Sequence, residues 1–148
     1  MAWNKTEQKF WHFIQKEMMG QWNVTRHEDK GISPGVPDLH YSVGEDYHIG
    51  WLELKAKSHE IDKGSRIQVE PSQHQYIRKW RPLMPIHFLI QVRDTAYLID
   101  GKYAAAIAAL NSPNGICAIS IAQIPMDHIK TDLLPLLRII TRTRDGHL

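Results

Sequence analysis

Hydrophobic residues recur at helical spacing near the start of the chain. The pattern predicts an amphipathic helix from about Thr6 to Met19, with Gly20 as its C-terminal stop. Its apolar face would carry Phe10, Phe13, Ile14 and Met18. The stretch that follows, RHEDKGISPGVPDL at 26–39, contains two glycines and two prolines, which favour turns over regular structure.

Apolar runs in the middle of the chain predict strands and a second helix. Leu39, Tyr41 and Val43 alternate with polar residues, and after a turn at 44–46 the run HIGWLELKA is typical of a longer, partly buried strand. Pro71-Ser72 would open a helix that ends near Pro82. The runs PIHFLIQV and TAYLID predict two further strands.

The last part of the chain completes an alternating order of elements. Asp100 is placed to cap a third helix, KYAAAIAAL, whose alanines would allow close packing on a sheet, and ICAISIAQI has the pattern of another strand. The resulting order, αββαββα, indicates an α/β fold with a central mixed β-sheet flanked by helices. At 148 residues, the chain suggests one domain spanning 1–148.

Composition and charge limit the class of protein and its compartment but do not identify a function. A formal charge of +2 is too small for a protein that coats DNA. The one cysteine, Cys117, permits no intramolecular disulfide, and its apolar neighbours suggest a buried thiol. With no signal peptide and no membrane-spanning run, we expect a cytoplasmic protein, acting in the host cytoplasm if it is phage-encoded.

Two charged residues stand in a strand whose other residues are apolar. Glu53 and Lys55 are two apart, so both side chains project from the same face, where unpaired buried charge would be costly. Asp38 precedes the neighbouring predicted strand, and a hairpin would bring it opposite Glu53. Two carboxylates, a backbone carbonyl and waters suit Mg²⁺, with Mn²⁺ as a substitute.

Three short motifs resemble, in this order, those of the PD-(D/E)XK nuclease superfamily. Gly35-Val36-Pro37-Asp38, Glu53-Leu54-Lys55 and Pro71-Ser72-Gln73 are similar to the G-x-P-D, E-x-K and downstream glutamine motifs of its VRR-NUC branch. That branch is similar in turn to the archaeal-type Holliday junction resolvases. The resemblance covers about Glu7 to Ile90 and implies a restriction-endonuclease-like fold.

The resemblance also implies a role for each matching residue. Asp38 and Glu53 would bind the metal, with the Leu54 carbonyl as a further ligand. Lys55 would orient or deprotonate the attacking water and offset charge on the scissile phosphate, which is consistent with general catalytic chemistry. Gln73 would position water or phosphate.

The family's N-terminal helical carboxylate corresponds to Glu7, which heads the core-facing stripe of the first helix. Glu17 is another acid on this helix, and Asn4-x-x-Glu7 also fits a capping box. The catalytic role of Glu7 is therefore open between these interpretations.

Ordinary structural interpretations exist for the other site residues too. Asp38 after a proline is typical of a turn, and Glu53 with Lys55 fits a cross-strand ion pair. Ser72-x-x-Gln75 fits a capping box that would leave Gln73 an ordinary first-turn residue. The ordered set of motifs favours the catalytic interpretation.

Several cations are candidates for contact with nucleic acid. Those nearest the predicted centre lie on either side of it, where they would grip phosphates, although a solvated loop explains each singly. They are Arg26, Lys57, Lys63 and Arg66. The role of the C-terminal arginines, Arg138, Arg142 and Arg144, stays open.

We therefore expect a Mg²⁺-dependent DNA endonuclease in replication, recombination or repair, selective for branched DNA of the Holliday-junction kind. Its exact substrate and sequence preference stay open. A catalytically silent DNA-binding module of the same fold and an RNA-processing endonuclease are the alternatives.

A homodimer is expected, because two-strand incision needs two centres and the resemblance points to dimers. Apolar residues in ICAISIAQI and at 133–140 exceed what the predicted core needs, which often marks a subunit interface. The alternative is that they complete the core of the chain itself.

Overall fold

A mixed β-sheet forms the centre of the structure, a computed structural model that describes residues 5–27, 35–44 and 48–145. Within these ranges six strands lie side by side in chain order. β3 and β4 run parallel, and every other neighbouring pair is antiparallel. The strands are β1 (Asn23–Arg26), β2 (Leu39–Val43), β3 (His48–Lys57), β4 (Ile86–Val92), β5 (Thr95–Asp100) and β6 (Ala122–Pro125).

Helices cover both faces of this sheet. Two of them pack on one apolar cluster, α1 (Lys5–Glu17) and α5 (Ile129–Asp145). Three pack on a second cluster across the sheet, α2 (Pro71–Trp80), α3 (Ala104–Ala109) and α4 (Gly115–Ile119). No helix in the described part of the chain is long and apolar enough to cross a membrane.

The side-chain alternation of β3 divides its residues between the two clusters. Leu52 and Leu54 belong to the cluster under α1 and α5. Glu53 pairs with Phe88, which belongs to the cluster under α2. Because alternate strand residues point to opposite faces, Glu53 and Lys55 project on the α2 face.

The predicted α/β fold is confirmed. The structure contains the αββαββα order around a mixed sheet and adds two edge strands, β1 and β6. Asp100 caps as predicted, but it accepts from the Lys102 N–H in a 3₁₀ turn, Gly101–Tyr103, that precedes α3. Of the predicted turn at 44–46, positions 45 and 46 lie outside the described residues.

The segment ICAISIAQI is not one strand, and this prediction was wrong. Its first half forms α4 and its second half forms β6. Ile116 and Ile119, at helical spacing, pack on the α2-side cluster, whereas Ile124 belongs to the opposite one. The prediction of a buried Cys117 was also wrong, because Cys117, in α4, is exposed.

The apolar residues near the C-terminus belong mainly to the core of the chain itself. In α5, Leu133, Leu137 and Ile140 are buried, while Ile139 remains 59% exposed. Leu134 and Leu136 are partly buried against the same cluster. The surplus that suggested a subunit interface is therefore largely used within one chain.

Candidate functional site

Two acidic side chains meet where β2 begins. The register that pairs Leu39 with Leu52 sets Asp38 opposite Glu53 at its next step. Directly opposed residues of an antiparallel pair project from the same face of the sheet. Asp38 is 5% exposed and Glu53 is 2% exposed. The hairpin thus places both predicted metal-binding carboxylates in one buried position.

The backbone of β3 holds the Asp38 carboxylate in place. Its Oδ2 accepts a hydrogen bond from the Leu54 N–H at 2.7 Å. Since β2 begins only at Leu39, opposite Leu52, this N–H lies past the end of the β2–β3 ladder, and the carboxylate replaces the missing strand partner. The N–H and C=O of one strand residue point to the same side, so the Leu54 carbonyl faces the side on which Asp38 lies.

Lys55 is held from the second helix. Its Nζ donates to Gln73 Oε1 at 3.2 Å, and the same oxygen accepts from the Glu70 N–H at 2.9 Å. Glu70 is the N-cap of α2 and forms a capping box with Gln73, so the box does not use Ser72 and Gln75 as the sequence suggested. Gln73, itself buried, is thus both a capping residue and the contact of Lys55.

The loop that carries Asp38 packs directly on the N-terminus of α2. Gly35 has a φ of +85°, and a Cβ added there would lie 2.0 Å from the Ser72 carbonyl oxygen. Only glycine permits both this backbone conformation and this approach. The G-x-P-D motif and the Pro71-Ser72-Gln73 motif are therefore in contact.

The donor set at this position fits a hard divalent cation. Within the described ranges, no three His, Cys, Asp or Glu side chains cluster closely enough to hold a metal ion. An ion here would be held by the two carboxylates, the Leu54 carbonyl and waters. Mg²⁺ binds in this way, since it takes one or two carboxylates and keeps several waters, whereas structural zinc needs four side-chain ligands.

Two of the predicted site residues belong to the layer on the other face of the sheet. Glu7 lies half-buried in the first turn of α1. Arg26 pairs with Leu39 and stands over the Trp11 ring, with its Cζ 5.9 Å from the ring centroid. The roles assigned to Glu7 and Arg26 stay predictions.

The three remaining predicted cations lie at the end of β3 and in the loop that follows it. Lys57 donates to Ser65 Oγ and lines a cavity of about 360 Å³ together with Lys9 and Arg93. Lys63 and Arg66 are exposed on the loop between β3 and α2. These three cations are thus accessible from solvent or from a cavity, as a phosphate contact requires.

A second basic cavity, of about 300 Å³, lies between α2 and the turn that precedes α3. Its lining includes His74, Arg78 and Lys102. Arg81, also in the lining, forms a bidentate pair with Asp100, at 2.6 and 3.0 Å.

Asp100 is ionised more readily than an ordinary aspartate. Burial alone would raise the pKa of the Asp100 carboxyl, but hydrogen bonds from Arg81 and the Lys102 N–H, with the charges of His87 and Arg81, lower this pKa to about 2. The same pair raises the pKa of Arg81, chiefly through the hydrogen bond. The end of α2 is thereby joined to the end of β5.

A row of imidazole, indole and phenol rings lies beside the two carboxylates, and the sequence did not predict it. Successive rings have centroids 4.9 to 6.5 Å apart. We call this set the aromatic row; it consists of His27, His40, Trp51, Tyr76 and Trp80. Strand alternation was a usable signal, because His40 and Trp51 share the face of Asp38 and Glu53.

Comparisons with known proteins give little beyond this geometry. No protein-family model matches the chain, and no curated protein matches it. Among solved structures, it is similar to Hjc of Archaeoglobus fulgidus, a Holliday junction resolvase from an archaeal hyperthermophile. The TM-score is 0.42 at 13% identity, over 67% of this chain and 76% of that one. A similarity of this size does not bear on function.

Proposed function

We propose that this protein is a metal-dependent nuclease that hydrolyses phosphodiester bonds in DNA. The observation that carries the proposal is the pair of buried carboxylates, Asp38 and Glu53, which the β2–β3 register, continued by one step, brings to the same sheet face as Lys55. Carboxylates buried together favour a divalent cation, and a lysine beside them suits an anionic substrate.

The residues divide the chemistry among them. Asp38, fixed by the Leu54 N–H, and Glu53 would hold Mg²⁺ or Mn²⁺ with the Leu54 carbonyl. When bound, the ion supplies positive charge to the phosphoryl oxygens and makes water more acidic. Lys55 Nζ, oriented by Gln73 Oε1, donates to the attacking water or to a phosphoryl oxygen as negative charge builds there.

Substitution of the three residues tests the proposal. We expect Asp38→Asn, Glu53→Gln and Lys55→Ala each to lower cleavage of labelled DNA by about 10²-fold or more, with the fold retained. Asp127→Asn and Lys130→Ala, at exposed positions, are the matched controls and should cut normally. Near-normal turnover by any of the three variants would remove the role assigned to that residue.

The choice of ion tests the metal directly. Mg²⁺ and Mn²⁺ should support cutting, whereas Ca²⁺ should support binding with little cutting, since it is larger and a weaker Lewis acid. Full activity in excess EDTA would contradict a metal-dependent mechanism. The same assay on an RNA strand distinguishes the DNA nuclease from an RNA-processing enzyme.

We further propose a homodimer acting on branched DNA. One centre cuts one strand, so a symmetric incision of two strands needs two copies of the site related by a two-fold axis. The chain has no dedicated base-reading motif, which leaves DNA shape as the source of selectivity. Its net charge of +2 is consistent with weak binding to plain duplex.

A further inference from the structure

Within the described residues, the sheet face beside Asp38 and Glu53 is covered only in part. The apolar cluster beneath α2, α3 and α4 draws its strand residues from β3, β4 and β5. In β1, Asn23 and Thr25 are exposed, and their pairing with β2 places Thr25 on the same face as His40. A polar sheet surface therefore continues from the carboxylates toward the β1 edge.

The aromatic row crosses this surface and ends on α2. Trp51 is its centre, with ring centroids 5.3 Å from His27, 5.1 Å from His40 and 6.5 Å from Tyr76. Each ring is only partly buried, so part of each remains accessible to solvent. A hydrogen bond of 2.7 Å joins His27 Nε2 to His40 Nδ1 and holds these two rings together. The rings therefore form one continuous set of contacts in the structure.

The row starts immediately beside the acids. His40 and Trp51 are directly paired across β2 and β3, two residues from the Asp38–Glu53 position on the same face. Two residues of a strand span about 7 Å. A ligand that places a phosphate at the carboxylates would thus place its neighbouring group on these rings.

The charge around the row complements a polyanion. β1, β2 and α2 contain no acidic residue, and β3 contains only Glu53. At the far end, Lys79 lies over the Trp80 ring, with its Nζ 5.1 Å from the centroid. Arg78, the preceding residue of α2, is also exposed. Across these four described elements, phosphates that follow the row therefore meet cations and no carboxylate other than Glu53.

We propose that the aromatic row binds unpaired nucleobases of the DNA strand next to the scissile phosphate. In an intact duplex, the flat faces of the bases are covered by their neighbours, so rings on a protein surface can stack only on bases that are splayed out. The inference rests on the proposed nuclease function for the position of the phosphate. The enzyme would therefore select DNA that is single-stranded at the point of cleavage.

Binding without hydrolysis tests this inference separately from the nuclease activity. The probes are two DNAs of equal length, a blunt duplex and a duplex with a splayed arm, each carrying the fluorescent base 2-aminopurine at the junction position or its equivalent. Affinity and 2-aminopurine emission are measured in Ca²⁺, which should support binding with little cutting, with wild type, Trp51→Ala and Trp51→Tyr. Trp22→Ala is the matched control, because Trp22 is a half-buried tryptophan packed on the opposite core.

Stacking predicts a specific pattern. Binding of the wild type should quench the 2-aminopurine of the splayed arm, and Trp51→Ala should weaken that affinity by about 5- to 150-fold and abolish the quenching. Duplex affinity should change by less than about two-fold, and Trp51→Tyr and Trp22→Ala should bind the splayed DNA nearly as wild type does.

Two results would overturn the inference: no change in 2-aminopurine emission when the wild type binds, or equal weakening of duplex and splayed DNA by Trp51→Ala. The first needs no variant, so it holds even if Trp51→Ala fails to fold. Stacking without any cleavage in Mg²⁺ would refute the nuclease proposal alone, and cleavage without stacking would refute this inference alone.

Discussion

Gln73 joins two functions through one oxygen atom. Its Oε1 accepts from the N-cap backbone of α2 and from Lys55 Nζ. The first bond stabilises the start of the helix, and the second limits the positions that the ammonium group can adopt. If the proposed function holds, Gln73 therefore has a structural role and a role in positioning Lys55, and substitution can separate the two.

We predict that Gln73→Ala lowers kcat by about 10-fold or more and lowers stability by about 1 kcal/mol, through loss of the capping box. Gln75→Ala is the control, since it removes the same side chain from an exposed position of the same helix. Cleavage is measured well below the melting temperature of both variants. A Gln73→Ala enzyme that is less stable but cuts at the normal rate would limit Gln73 to capping.

At the scale of elements, Gly35 determines how the Asp38 loop meets α2. We predict that Gly35→Ala lowers the free energy of unfolding by about 2 kcal/mol or more, because the methyl group meets the Ser72 carbonyl and the residue has a positive φ. Gly44→Ala isolates the second cause, since Gly44 has a φ of +75° and no described residue has an atom within 4 Å of an added Cβ. Gly44→Ala should lower the free energy of unfolding by about 1 kcal/mol.

Urea unfolding with circular dichroism measures both glycine variants. We also expect Gly35→Ala to cut DNA more slowly than Gly44→Ala, because displacement of the loop moves Asp38 relative to Glu53. Equal stability and equal activity of the two variants would show that the contact between the loop and α2 has no energetic effect.

The Arg81–Asp100 pair, which joins α2 to β5, predicts a pH dependence. The folded-state pKa of Asp100 is lowered to about 2 from 3.8. Its stabilisation is therefore fully present above about pH 4 and is lost as pH falls from there through pH 2. We predict that Asp100→Asn lowers stability at pH 7 by about 1 to 2 kcal/mol, allowing for the partial exposure of the pair.

Urea unfolding between pH 7 and pH 2.5 checks this prediction. The difference in free energy of unfolding between wild type and Asp100→Asn should be constant down to about pH 4 and decrease below that pH. Asp94→Asn, an exposed aspartate in the β4–β5 turn, should show no such difference at pH 7. A gap between wild type and Asp100→Asn that stayed constant to pH 2.5 would mean that the carboxylate charge is not the source of the stabilisation.

At the scale of the whole molecule, the sequence suggested a dimer because it has more apolar residues than the predicted core needs. The structure weakens this argument. Of the six apolar residues between 133 and 140, three are buried in the core of one chain and two more pack against it partly buried, so the remaining argument is the symmetry of a two-strand cut. We predict a species of twice 17.1 kDa in light scattering at micromolar protein. An active species of 17.1 kDa alone would refute the dimer.

The sequence by itself determined most of the architecture. Alternation and run length located β2 to β5, and helical spacing located α1 and α2, because local periodicity reports which residues of an element face the core. Charges within the apolar run of β3 also marked Glu53 and Lys55 as candidates, since burial of such charges requires a compensating partner.

Only the tertiary structure decided which elements are in contact and through which residues. β1 has four residues with no strong pattern and exists because β2 pairs with it, while α5 continues past Pro135 because its buried leucines pack on the sheet. The contact of Gly35 with Ser72 and the aromatic row depend on strand register and on the helix that packs on each face. Register and packing are properties of the whole chain, so strand alternation could indicate which residues share a face but not which of them are in contact.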